Sequence, residues 1–90
     1  MSHTTTYKPK LLARVRRIRG QVEALERAVE SDVGCADVLQ LVASVRGAVN
    51  GLTAELIEHH LTEHVLDVDD PAQRRQGAED LVEVIRTYLR

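Results

Sequence analysis

The segment IEHHLTEHVLD, residues 57–67, carries three of the chain's four histidines within six positions: His59, His60 and His64. The fourth is His3, and there is one cysteine, Cys35. Imidazole and thiolate are the side chains that hold borderline transition metals. A His-x-x-x-His pair projects two imidazoles from one side of a helix. Glu63 lies between the two and is a candidate to hydrogen-bond a ligating ring from outside the coordination sphere. Each residue also has a plainer reading, the pair as solvated imidazoles and the cysteine as a small hydrophobe. The elements that carry them decide whether they can converge.

Those elements are helices. Leu11, Val15, Ile18, Val22, Leu25 and Val29 recur at alternating steps of four and three, a heptad-like seam that predicts a helix over about residues 7–31. Val38, Leu41, Val42, Val45, Val49, Leu52 and Leu56 form a second stripe with no proline until Pro71, predicting a helix over about 36–66. Ser31-Asp32-Val33-Gly34 supplies the turn, with Gly34 conformationally permissive and Ser31 or Asp32 able to cap. Two long helices joined by so short a link form an antiparallel hairpin. Beyond VDVDDP, the stripe Leu81, Val82, Ile85, Tyr88 and Leu89 predicts a short third helix over about 74–89. No strand pattern or internal repeat is present. The expectation is an all-α, three-helix protomer forming one domain over residues 1–90.

At 100° per residue, Cys35, His60 and His64 fall at about 60°, 40° and 80° around the second helix, with Val38 at zero. They share a face. The 1.5 Å rise nevertheless separates Cys35 from His60 by roughly 37 Å along the axis, so one chain cannot close a site from them. Two copies of this helix packed antiparallel about a two-fold axis bring Cys35 of one beside His60 and His64 of the other, twice. The crossing then falls near residues 47–50, where Gly47, Ala48, Asn50 and Gly51 promise close approach. His3 joins the same cluster, because folding the first helix back places its start near residue 60. His59 points about 100° away from His60 and is expected on the surface or behind a ligand.

Composition supports association. Ninety residues bury a thin core unless the chain oligomerises or holds a metal. A single cysteine permits no intrachain disulfide and suits a reducing compartment. There is no apolar run of spanning length and no signal-peptide pattern, so the expected location is the cytoplasm, with no membrane partner. Phe and Trp are absent, which disfavours nucleic-acid binding through stacking.

The net charge of −2 hides an asymmetry: Lys8, Lys10, Arg14, Arg16, Arg17 and Arg19 lie in the first nineteen residues without one acid. The remaining residues hold six basic against fourteen acidic side chains. Lys10, Arg14 and Arg17 form one strip at about 240–300° from Leu11, a polyanion-binding candidate. Arg16 and Arg19 lie on the other flank. A solvated arginine-rich helix is the plainer alternative.

Two other classes fit part of this pattern. A metalloenzyme could use a Cys-His-His zinc site with an open fourth position and Glu63 as general base, but a small bundle with filled stripes leaves little room for substrate. A metal-storage protein would need the ligands and not the basic helix.

Taken together, ARVRRIRGQVEALER, CADVLQLVASVRGAVNGL and the HLTEH block resemble the CsoR/RcnR/FrmR superfamily of small helical repressors over nearly the whole chain. The resemblance implies a homodimer doubled to a homotetramer that binds double-stranded operator DNA without a helix-turn-helix, is released by an inducer, and is not an enzyme. The family's inducer positions match His3, Cys35, His60 and His64. Copper(I)-responsive members have cysteine where this chain has His64, and a His, Cys, His, His set is similar to the nickel- and cobalt-responsive branch. Ligand softness agrees: imidazoles suit nickel, cobalt or zinc, whereas copper(I) prefers a second thiolate. The alternative within the family is a formaldehyde-responsive repressor, in which Cys35 reacts with the aldehyde and links to the N-terminal amine. Against it, Ser2 stands where that branch has proline, and His64 replaces an acidic residue.

Overall fold

A computed structural model of the protein describes residues 7–89. Three α-helices run in order, α1 over Tyr7–Glu30, α2 over Cys35–Leu61 and α3 over Pro71–Tyr88, with a π-helical turn over Thr62–Leu66 following α2. The described residues contain no strand. All three expected helices are present. Their ends differ from expectation where local chemistry intervenes.

The chain divides into two compact units, the first extending to Thr53 and the second beginning at Ala54. In the first, α1 ends in a Schellman motif. Asp32 takes the left-handed conformation at φ 56°, Val33 donates to the Ala28 carbonyl and Asp32 to that of Val29, both at 3.2 Å. The positive φ falls on Asp32 and not on Gly34, because a short polar side chain tolerates this region. Gly34 instead opens α2: its carbonyl accepts from Asp37 and Val38. The Arg14 guanidinium fills the space beside Gly51, where a Cβ would stand 2.7 Å from Nη2. Residues 14 and 51 are equally far from the turn, as an antiparallel hairpin requires.

The seam of α1 divides in two. Leu11, Ile18 and Leu25 are half-buried, whereas Val15, Val22 and Val29 keep 43, 45 and 58 % of their surface exposed. On α2, Val42 and Val49 are likewise exposed. Relative to the half-buried stripe of its helix, each valine set lies about 90° round in the same rotational sense. Across an antiparallel hairpin that places both sets on one face. Exposed Cys35 lies at the turn end of this face, level with Val29.

In the second unit α2 does not continue to residue 66 as an α-helix. After Leu61 the backbone widens, and the Asp67 amide donates to the Thr62 carbonyl five residues back at 2.9 Å. α3 starts at Pro71, three residues earlier than expected. Asp70 caps it by accepting from the Gln73 amide at 3.0 Å, and Pro71 needs no amide partner in the first turn. Arg74 fastens the preceding loop, its Nε and Nη2 donating to the Val68 carbonyl at 3.0 and 2.8 Å. Among the described residues, no helix is long and apolar enough to cross a membrane.

Candidate metal centre and nucleic-acid interface

His60 lies in the last turn of α2 and His64 in the π turn that follows, both half-buried. Four residues along an α-helix overshoot one turn by about 40°. The wider turn draws His64 back over His60, and their ring centroids lie 4.7 Å apart, tilted by 38°. His60 Nε2 is 2.8 Å from the Gly77 carbonyl. A carbonyl only accepts, so Nε2 carries the proton, and in the neutral ring Nδ1 keeps the lone pair. The donor chemistry suits a borderline divalent ion, two adjacent imidazoles with one free nitrogen already assigned.

The other expected residues stand as follows. Cys35 is exposed at the first position of α2. His3 lies outside the described residues. Among the described residues, no three His, Cys, Asp or Glu side chains gather closely enough to hold an ion. Glu63 meets His59, Oε1 lying 3.3 Å from Nε2 with both side chains mostly shielded. Its contact within the chain is therefore to the neighbouring histidine and not to the two predicted ligands.

Gly77, the residue of this region that sequence reasoning missed, is buried. A Cβ there would overlap the His64 carbonyl oxygen and come within 2.8 Å of its carbon and 3.0 Å of the His64 Cβ. The signal was present, an isolated glycine inside a helical pattern, which marks a close approach.

On α1, Lys10 and Arg17 are exposed on the flank opposite the valine face, while Arg14 is half-buried with its guanidinium turned to Gly51. The expected strip is thus two outward cations with a third leaning across the hairpin. Arg16 and Arg19 are exposed on the other flank. Gly51 serves this contact within the chain, and Gly47 opens to unfilled space. By helical angle both lie well away from the face of Cys35, on which Val49 is the residue that falls within the expected crossing.

Among the described residues, a strand-free helical hairpin, a basic first helix, a short third helix and two adjacent imidazoles define a small all-helical class of protein. The chain belongs to the metal-sensitive transcriptional repressor family, whose model matches residues 7–87. This is the CsoR/RcnR/FrmR family, whose members are repressors and not enzymes. A curated relative from Serratia marcescens, described as an uncharacterized protein in the bioA 5' region, is 56 % identical over the full length of both chains. Transcriptional repressor RcnR of Salmonella paratyphi B is 44 % identical, again over the full length of both. Among solved structures, a variant of the Formaldehyde-Responsive Regulator FrmR from Salmonella enterica serovar Typhimurium superposes with a TM-score of 0.89 at 47 % identity, covering 96 % of this chain and 98 % of that one. The copper-sensing repressor CsoR with Cu(I) from Geobacillus thermodenitrificans shares the fold, with a TM-score of 0.90 at 23 % identity over 100 % and 94 % of the two chains.

Proposed function

We propose that the protein represses transcription from a double-stranded operator in the cytoplasm and is released when nickel or cobalt binds between subunits. In this reading Cys35 of one protomer supplies a thiolate, and His60 and His64 of the other supply neutral imidazoles. His3 completes a higher coordination number, and Glu63, which within the chain pairs with His59, is the candidate outer partner of the set. The observation that carries the reading is the adjacency of the two imidazoles, 4.7 Å between centroids. The second imidazole stands where copper(I)-responsive relatives place a thiolate, and it shifts the site toward nickel, cobalt or zinc.

The assembly is an antiparallel homodimer of α2, doubled to a homotetramer. Its support is the valine face: no hydrophobic side chain among the described residues is buried, and this face ends at Cys35. Covering it with a second copy removes the valines from water and draws the thiol into the interface. Lys10 and Arg17, on the opposite side of the hairpin, then face outward to meet phosphates, with Arg14 beside them leaning across to Gly51. Ligation ties the N-terminal arm to α2 and repositions the helix that carries these cations. Coupling of this kind typically amounts to about 1–3 kcal/mol.

A second reading has its own support. Cys35 is exposed, and a Formaldehyde-Responsive Regulator variant is 47 % identical. The sulfur would add to the aldehyde carbon, and the N-terminal amine would then displace water to leave a methylene link. One experiment separates the readings. An operator is selected by the protein from random-sequence DNA, and binding is titrated in parallel with nickel, cobalt, zinc, copper(I) and formaldehyde. Release by nickel or cobalt is expected. Release by formaldehyde alone establishes the second reading, release by copper(I) alone overturns both, and no sequence preference identifies a storage protein.

A further inference from the structure

We propose that Gly77 of α3 is a positioning residue for the inducer site, holding His60 and His64 in their ligating arrangement from behind. The proposal rests on the reading above, in which both histidines bind the metal. Gly77 touches each of them by a different route. Its carbonyl receives the Nε2 proton of His60 at 2.8 Å, and its bare α-carbon admits the His64 backbone, where any Cβ would overlap the carbonyl oxygen.

The second contact accounts for a glycine in the middle of a helix. Glycine disfavours a helix interior relative to alanine, so the position must return something that alanine could not. The obstacle to a side chain is main chain at 2.8 Å and a Cβ at 3.0 Å, neither of which can swing aside as the tip of a long side chain can. The His64 carbonyl belongs to the π turn, whose ladder closes five residues back. α3 therefore seats against the segment whose widened backbone sets the spacing of the two imidazoles.

The first contact selects an atom. With Nε2 donating to Gly77, His60 offers Nδ1 to a metal. A carbonyl on the far nitrogen fixes the ring plane and raises the basicity of the ligating one. Because one residue makes both contacts, displacement of α3 at Gly77 disturbs both ligands together. Gly77 is thus part of what sets metal affinity, although it contributes no ligand.

Two measurements on the full-length oligomer test this. In wild-type protein with ¹⁵N-labelled histidine, zinc-loaded and metal-free, long-range proton–nitrogen spectra identify which His60 nitrogen binds. Coordination through Nδ1 with a protonated Nε2 is expected, and coordination through Nε2 overturns the proposal. A His60 signal unmoved by zinc, nickel and cobalt would instead refute the site reading itself. Gly77→Ala, at wild-type helicity and oligomeric state, should bind cobalt about 10–100-fold more weakly with displaced ligand-field bands, the range typical of removing an outer-sphere partner. Gly20→Ala, at a helical glycine with open space, should leave affinity and bands unchanged. Wild-type affinity and bands in folded Gly77→Ala overturn the proposal; should that variant not fold, the nitrogen assignment in the wild-type protein decides alone.

Discussion

In the proposed site, the choice of inducer turns on His64. It is a second imidazole beside His60, and Cys35 is the one thiol the chain can offer. The two make separable predictions. Cys35→Ala should abolish release from operator DNA by every inducer, metal or aldehyde, in a fluorescence anisotropy titration. His64→Leu should raise the cobalt needed for release by at least about tenfold, the lower bound for removing even an outer-sphere partner. It removes no group required for thiol–aldehyde addition, so formaldehyde release would persist in that variant if the second reading holds. An unchanged cobalt midpoint would remove His64 from the site.

At the scale of elements, α1 and α3 have different duties. α1 carries the cations: Lys10 and Arg17 point outward, and Arg14 leans on Gly51. Replacing Lys10 and Arg17 with Ala should weaken operator binding and flatten the slope of log affinity against log salt by about 0.9 for each phosphate no longer neutralised, with metal affinity unchanged. An unaltered slope would place the interface elsewhere, on Arg16 and Arg19 first. α3 is seated by its N-terminus and by Gly77. Asp70→Ala removes the acceptor of the Gln73 amide and should cost about 1 kcal/mol, read as a lower melting temperature at fixed protein concentration. The effect should be small beside that of Gly77→Ala, because a cap frays one turn whereas a Cβ at residue 77 meets main chain.

At the scale of the molecule, the hairpin presents two opposed faces, one of valines and one of cations. Val15, Val22 and Val29 with Val42 and Val49 form an exposed apolar surface of the kind that marks an interface. Val22→Glu or Val49→Glu should give a monomer of reduced helicity in sedimentation at micromolar concentration, because each buries a charge in the proposed interface. A native dimer in both variants would show that the subunits meet on another face. The same variants should lose cobalt binding, since the proposed site needs Cys35 and the histidine pair of two subunits brought together.

The sequence by itself determined three helices and the hairpin turn, because periodicity and turn chemistry are local properties. It also determined the basic bias of α1, which is composition. Division of the α1 seam into half-buried Leu11, Ile18 and Leu25 and exposed Val15, Val22 and Val29 followed only from the packing of α2 against it. The turn gave a similar lesson: either Asp32 or Gly34 could bend the chain, and the bonds of the Schellman motif selected Asp32. What tertiary structure alone decided is the end of α2. A π turn has no hydrophobic period to announce it, and it arises where the His64 carbonyl meets α3. The Gly77 contact and the proton on His60 Nε2 follow from that meeting, which joins residues distant in sequence and depends on the space a missing side chain leaves.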